Sequence, residues 1–128
     1  MKIGTDMRNA AIDAALAELD SGDLLFFTGT VPANVSDANT GTLLGTLTFA
    51  ADAFPAASVG VATIGAVGAD VAADDTGVAG YAVGRESGGA NRVHFTVGTS
   101  GADVNLNTLS FEAGGNVSIT GGTITMPE

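Results

Sequence analysis

His94 is the only imidazole in this 128-residue chain, and there is no cysteine. Any acid–base or nucleophilic chemistry would therefore centre on that one ring. A histidine works as a general base when a carboxylate orients it and a nucleophile lies within hydrogen-bond reach. Ser87 and Ser100 are near in sequence, but neither sits in a Gly-x-Ser-x-Gly turn that leads from a strand into a helix. His94 falls between Val93 and Phe95 in an alternating stretch, which places it on the polar face of a strand. The pattern predicts no hydrolase and no other enzyme.

The acidic residues offer two further candidates. Asp103-Val104-Asn105-Leu106-Asn107 opens like a calcium loop. The sixth position is Thr108 where the loop needs Gly, and the twelfth is Gly114 where it needs a bidentate Glu. The same five residues suit a strand with Val and Leu inward and the Asn side chains outward. Asp70, Asp74 and Asp75 form a second acidic group, able to hold calcium only if the backbone curls around an ion. The glycines make no phosphate cradle, since neither Gly-x-Gly-x-x-Gly nor a Gly-Lys-Ser/Thr motif occurs and Lys2 is the sole lysine. Asn34-Val35-Ser36 and Asn116-Val117-Ser118 match the glycosylation triplet without a secretory context. No metal and no cofactor are expected.

Charge and size narrow the field further. Fourteen acids against four bases give a net charge of -10, which excludes nucleic acid because phosphate binding needs a basic face. Asp6, Arg8 and Asp13 interrupt any apolar N-terminal run, so no leader is expected and synthesis in a cytoplasm follows. Leu24–Phe27 is far too short to cross a bilayer, so no membrane partner is expected. Hydrophobic residues make up 45% of the chain, but many are alanine and aromatic rings are only 5%. Such a core buries little area per residue, and association with a neighbour would add to it.

These residues must be carried by a mainly β scaffold. The expectation is one domain over residues 1–128, an antiparallel β-sandwich, with an N-terminal arm and one short α-helix within residues 1–22. Thr5 or Asp6 can cap a helix running to Leu19, with Ile12, Leu16 and Leu19 on one stripe and Gly22 as a left-handed stop. Asp23–Thr28 is continuously apolar at its centre, as in a strand buried on both faces. Gly29–Gly41 is rich in turn formers and predicts a long loop. Strands follow at 42–49 and 59–64, with residues 50–58 as a connection in which Pro55 resists a central strand. Hairpins are expected for 77–84 with 92–97, and for 104–111 with 116–120, before a last strand at 123–126. Gly121-Gly122 reads as a turn, and the apolar phase slips near Asn107-Thr108, as a bulge would cause.

Several segments together resemble small virion proteins of tailed bacteriophages. They are Arg8–Ala14; Leu24–Ala33 leading to Thr40–Leu44; and Gly98–Leu106 followed by Val117–Thr120 and a Thr-rich end. The resemblance spans nearly the whole chain and rests on structural motifs, none of which marks a reaction. It implies a β-sandwich or jelly-roll subunit of the head decoration, or cement, type. Such a subunit would lie outside the capsid, commonly as a homotrimer at local threefold axes, bridging copies of the major capsid protein. An added subunit stabilises a shell in proportion to its preference for the expanded lattice, and that needs surface, not a reacting group.

Two segments are the expected contacts: the arm, through Lys2 and Ile3, and the loop, through Val31, Pro32, Asn34, Val35 and Asn39. A tail, neck or fibre component would use the same scaffold in other symmetry. A carbohydrate-binding module is the reading from a different class. It suffers because sugar platforms are built from exposed rings, and this chain has no Trp, one Tyr and six Phe.

Overall fold

The computed structural model describes residues 1–65, 67–68 and 73–126. Among the described residues one helix, α1 (Thr5–Ala17), precedes eleven strands. A five-stranded sheet is built from β1 (Asp23–Phe27), β2 (Leu43–Phe49), β4 (Val67–Gly68), β6 (Tyr81–Arg85) and β7 (Asn91–Phe95), in the order β4-β2-β1-β6-β7. A four-stranded sheet runs β3-β11-β9-β8, from β3 (Val61–Thr63), β8 (Val97–Gly98), β9 (Val104–Leu106) and β11 (Ile119–Thr125). A small ribbon pairs β5 (Gly77–Val78) with β10 (Ser110–Phe111). The expected mainly β sandwich with one N-terminal helix is the architecture found. Its described pairings are antiparallel except for β8 with β9.

The main core lies between these layers. Ile12, Leu16 and Leu19 bring the apolar stripe of α1 onto Leu24, Phe26, Leu47 and Phe95 of the larger sheet and Ala62, Val104 and Leu106 of the smaller one. Phe111 carries the ribbon into the same core, its ring 5.6 Å from that of Phe26. Period-two alternation explains the division of β1: Leu24 and Phe26 face this core, while Leu25 and Phe27 face the other way. The second face is also buried, which is why the run is apolar throughout.

The helix is tied to the connection after β2 by its polar side chains. Asp13 Oδ1 accepts from the Ala57 amide at 2.8 Å, and Asn9 Oδ1 accepts from the Gly60 amide at 2.7 Å. Just past the helix, Asp20 Oδ1 accepts from the Ala53 amide at 2.9 Å. A stretch with no ladder of its own thereby satisfies its backbone donors.

Several local expectations are corrected. The N-cap is Gly4, with no side-chain cap bond, so neither Thr5 nor Asp6 serves that role. Ser21, not Gly22, takes the left-handed conformation, at φ 59°. Gly22 is required for a different reason: a Cβ there would sit 2.0 Å from the Arg85 carbonyl oxygen. Val59 lies in a turn before β3, not within the strand. Gly77-Val78 leaves the expected hairpin to pair with Ser110-Phe111; of the expected hairpin of 104–111 with 116–120, Val104–Leu106 does pair with β11, Leu106 opposite Ile119, while residues 110–111 leave it. Gly121-Gly122 continues β11, with Gly122 close against the Asp103 carbonyl, so 119–125 is one strand. The phase slip at Asn107-Thr108 is a break between two strands that join different sheets.

Candidate interaction surface

The outer face of the five-stranded sheet carries a second apolar cluster: Leu25, Phe27, Tyr81 and Val83, with Leu43 packed at its side. Phe27 and Tyr81 stack at 5.5 Å with their planes 13° apart. Left open, such a face would be costly to hydrate. The loop between β1 and β2 is anchored over it by hydrogen bonds.

At the base of the loop, the Thr28 amide donates to the Thr42 carbonyl at 3.1 Å, and the Thr42 amide donates to Thr28 Oγ1 at 2.9 Å. Gly41, at φ 78°, lets the returning chain pass the Thr28 carbonyl, where a Cβ would sit 2.0 Å from that oxygen. The Tyr81 hydroxyl donates to the Thr40 carbonyl at 2.8 Å and accepts from the Thr40 amide at 3.0 Å. Thr40 Oγ1 crosses the loop to the Thr30 carbonyl at 2.8 Å. Asn91 Nδ2, on β7, donates to Asn39 Oδ1 at 3.1 Å. At the tip, Asp37 Oδ2 accepts from both the amide and the side chain of Asn34, closing a turn.

The seven expected contact residues fall into two groups. In the loop, Val31 is 45% exposed, Pro32 and Val35 are half-buried, and Asn34 and Asn39 are exposed but engaged in the bonds just described. In the arm, Lys2 is exposed and Ile3 half-buried. No hydrogen bond or ion pair among the described residues joins arm to loop. Sequence reasoning missed Tyr81 and Asn91 as the residues that position the loop. A hint was present: a lone tyrosine among phenylalanines, which when buried needs a partner for its hydroxyl.

A groove of about 550 Å³ runs beside the loop, lined by Gly29–Val31 on one side and His94–Val97 on the other, with Tyr81 between. The His94 ring meets Tyr81 edge-on, with centroids 5.8 Å apart, and its Nε2 is shielded without a hydrogen-bond partner. Ser87 lies in the turn between β6 and β7, and Ser100 lies between β8 and β9.

The acidic groups are engaged locally. Asp103 Oδ2 accepts from the Thr96 amide, Asn105 is bonded to Ala102, and Asp75 Oδ1 accepts from the Thr76 amide. Asp70 lies outside the described residues. Among the described residues no group of three or more His, Asp or Glu side chains is placed to hold a metal ion, and no helix is long and apolar enough to cross a membrane.

Of the basic residues, Arg85 donates to Asp23 at 2.7 Å across β1 and β6. Arg92 bridges Glu86 at 2.7 Å and Glu18 at 3.3 Å. The hydrogen bond to Glu86, with the charges of Glu18 and Glu86, raises the Arg92 pKa above its ordinary value. Arg8 is buried, with Nη1 3.4 Å from the Met126 carbonyl. All six phenylalanines and Tyr81 are buried, so no aromatic ring forms an exposed platform. Compared with protein-family models, with curated proteins and with solved structures, the chain matches none.

Proposed function

We propose that this chain is a virion structural protein that decorates the head of a tailed bacteriophage. It binds the outer surface of the major capsid protein lattice and stabilises the expanded shell, acting as a shaped surface without catalysis. One observation carries the reading: the 28–42 loop is long, yet pinned by Tyr81 and Asn91 over a rigid sheet. A loop ordered in advance loses little entropy on docking. With Val31 exposed near its start and polar groups around its tip, it has the apolar-centre, polar-rim character of a protein contact. The resemblance of Leu24–Ala33 and Thr40–Leu44 to phage virion proteins falls on this same loop and its flanking strands. The burial of every aromatic ring argues against the sugar-binding alternative.

The test is to purify particles from infected cells and count copies of this chain by quantitative mass spectrometry. Hundreds of copies are expected, with particles lacking the chain losing DNA at a lower temperature. Absence from particles would overturn the proposal, and a handful of copies would move the chain to the tail, neck or fibre.

A further inference from the structure

The edges of the two sheets are unequal. Among the described residues the smaller sheet ends on β3 and β8, of three and two residues, and the larger sheet ends on β4, of two. Its other end is β7, with five. Shortness is one way that proteins blunt a free edge, and a charge or a bulge is another. On β7 the register shift opposite Arg85 and the Arg92 side chain guard only the first two residues. Val93, His94 and Phe95 run in regular register with Gly84, Val83 and Ala82. Backbone groups in an antiparallel ladder bond alternately to the two sides, so this stretch turns an amide and a carbonyl toward its open side.

An apolar pocket adjoins that edge. It measures about 380 Å³ and is lined by Val93 of β7, by the buried Ile12, Leu16 and Leu19, and by the half-buried Ile124 and Met126. The ion pair of Glu18 with Arg92 joins the helix end to β7 beside it. Through His94, β7 also borders the groove along Gly29–Val31 on the outer face of the sheet. Side chains of a strand alternate between faces. A strand laid along β7 would therefore turn one side chain into the pocket and the next toward the groove, while its backbone met the free amide and carbonyl.

Edge and pocket together identify the occupant. We propose that β7 takes up an extended segment of another protein, which adds a strand to the larger sheet and turns a large aliphatic side chain into the pocket beside Val93. A free backbone edge recognises extended polypeptide, and the neighbouring pocket selects the side chain. The β7 strand of a second copy does not meet both demands. Its inward side chains, Val93 and Phe95, pack on its own core, with Phe95 only 3% exposed, so it brings nothing free to fill the pocket. Nothing in this depends on the shell-docking loop, so either proposal can fail alone.

The experiment is titration of the isotope-labelled full chain with capped synthetic peptides of about seven residues, long enough to span β7, read by amide NMR shifts and hydrogen exchange. One peptide alternates threonine with leucine, a second carries alanine in place of leucine, and a third is the leucine peptide with its amides N-methylated. The leucine peptide should saturate, shift the amides of residues 91–95 and slow their exchange. It should bind about tenfold or more tightly than the alanine peptide, because the larger side chain buries more apolar surface. N-methylation should abolish binding. Ala15→Leu, at an exposed helix position beside the pocket, should erase the preference for leucine by filling the recess, while the chain unfolds at the wild-type temperature. Binding that survives N-methylation would make the pocket a site for small apolar molecules, and protection of 91–95 that grows with the concentration of the chain alone would make the edge a contact between copies. Either result, a leucine peptide that does not bind, or a preference for leucine that survives Ala15→Leu would overturn the proposal.

Discussion

The two faces of the five-stranded sheet are buried by different means. The inner face is covered by a helix and a second sheet, through large side chains that interlock: Ile12, Leu16 and Leu19 against Leu24, Phe26 and Phe95. The outer face holds the smaller cluster of Leu25, Phe27, Tyr81, Val83 and Leu43, beneath a loop held by hydrogen bonds at Thr28, Thr40 and Asn39. Closing the inner face is an act of packing, whereas closing the outer face depends on a few polar contacts. The lesson is that stability and presentation are separated on one sheet: the inner face holds the fold, and the outer face holds a loop in shape.

The strongest way to break this comparison is to delete a ring on each side. Phe26→Ala and Phe95→Ala should each cost about 3–5 kcal/mol, the usual penalty for removing a core aromatic, read from denaturant midpoints. Phe27→Ala should cost less, because a loop can settle into the space more easily than two packed layers can. Equal losses for Phe26 and Phe27 would show that the faces are equivalent.

Tyr81→Phe sharpens the contrast by removing only the two bonds to Thr40. A loss of about 1–2 kcal/mol is expected, with faster proteolysis of the 31–38 tip and little change in the core measured by hydrogen exchange. Protection lost evenly across both sheets would contradict it. Asn39→Ala should cost about 0.5–1 kcal/mol, since its bond to Asn91 is solvent-accessible, and should again loosen the loop alone. The smallest effect belongs to Arg92→Gln: an exposed pair with Glu86 and Glu18 contributes little and is screened by salt. Its unfolding midpoint should match the wild type at high ionic strength.

Much of the local structure is legible in the sequence. The stripe of Ile12, Leu16 and Leu19, the doubly buried run at Leu24–Phe27 and the hairpin around Glu86–Gly89 all follow from periodicity and turn chemistry. The candidate surface was legible in outline, because Gly29–Gly41 is the longest polar stretch of the chain. Its restraint was not, since Tyr81 and Asn91 lie 41 and 52 residues from their loop partners. The partner of Ser110-Phe111 is not legible for a related reason. Two-residue segments such as Ser110-Phe111 and Gly77-Val78 are too short to declare which neighbour they choose.

Residue order alone therefore settled the fold class, the N-terminal helix and the tight turn at Glu86–Gly89, because those preferences act within a few residues. Tertiary structure decided the rest. It sent Val97-Gly98 across to the second sheet, carried β11 through a glycine pair, and folded a polar loop over an apolar face. Each of those outcomes depends on which distant backbone arrives alongside. That is a competition among many similar short strands, resolved only when the whole core closes.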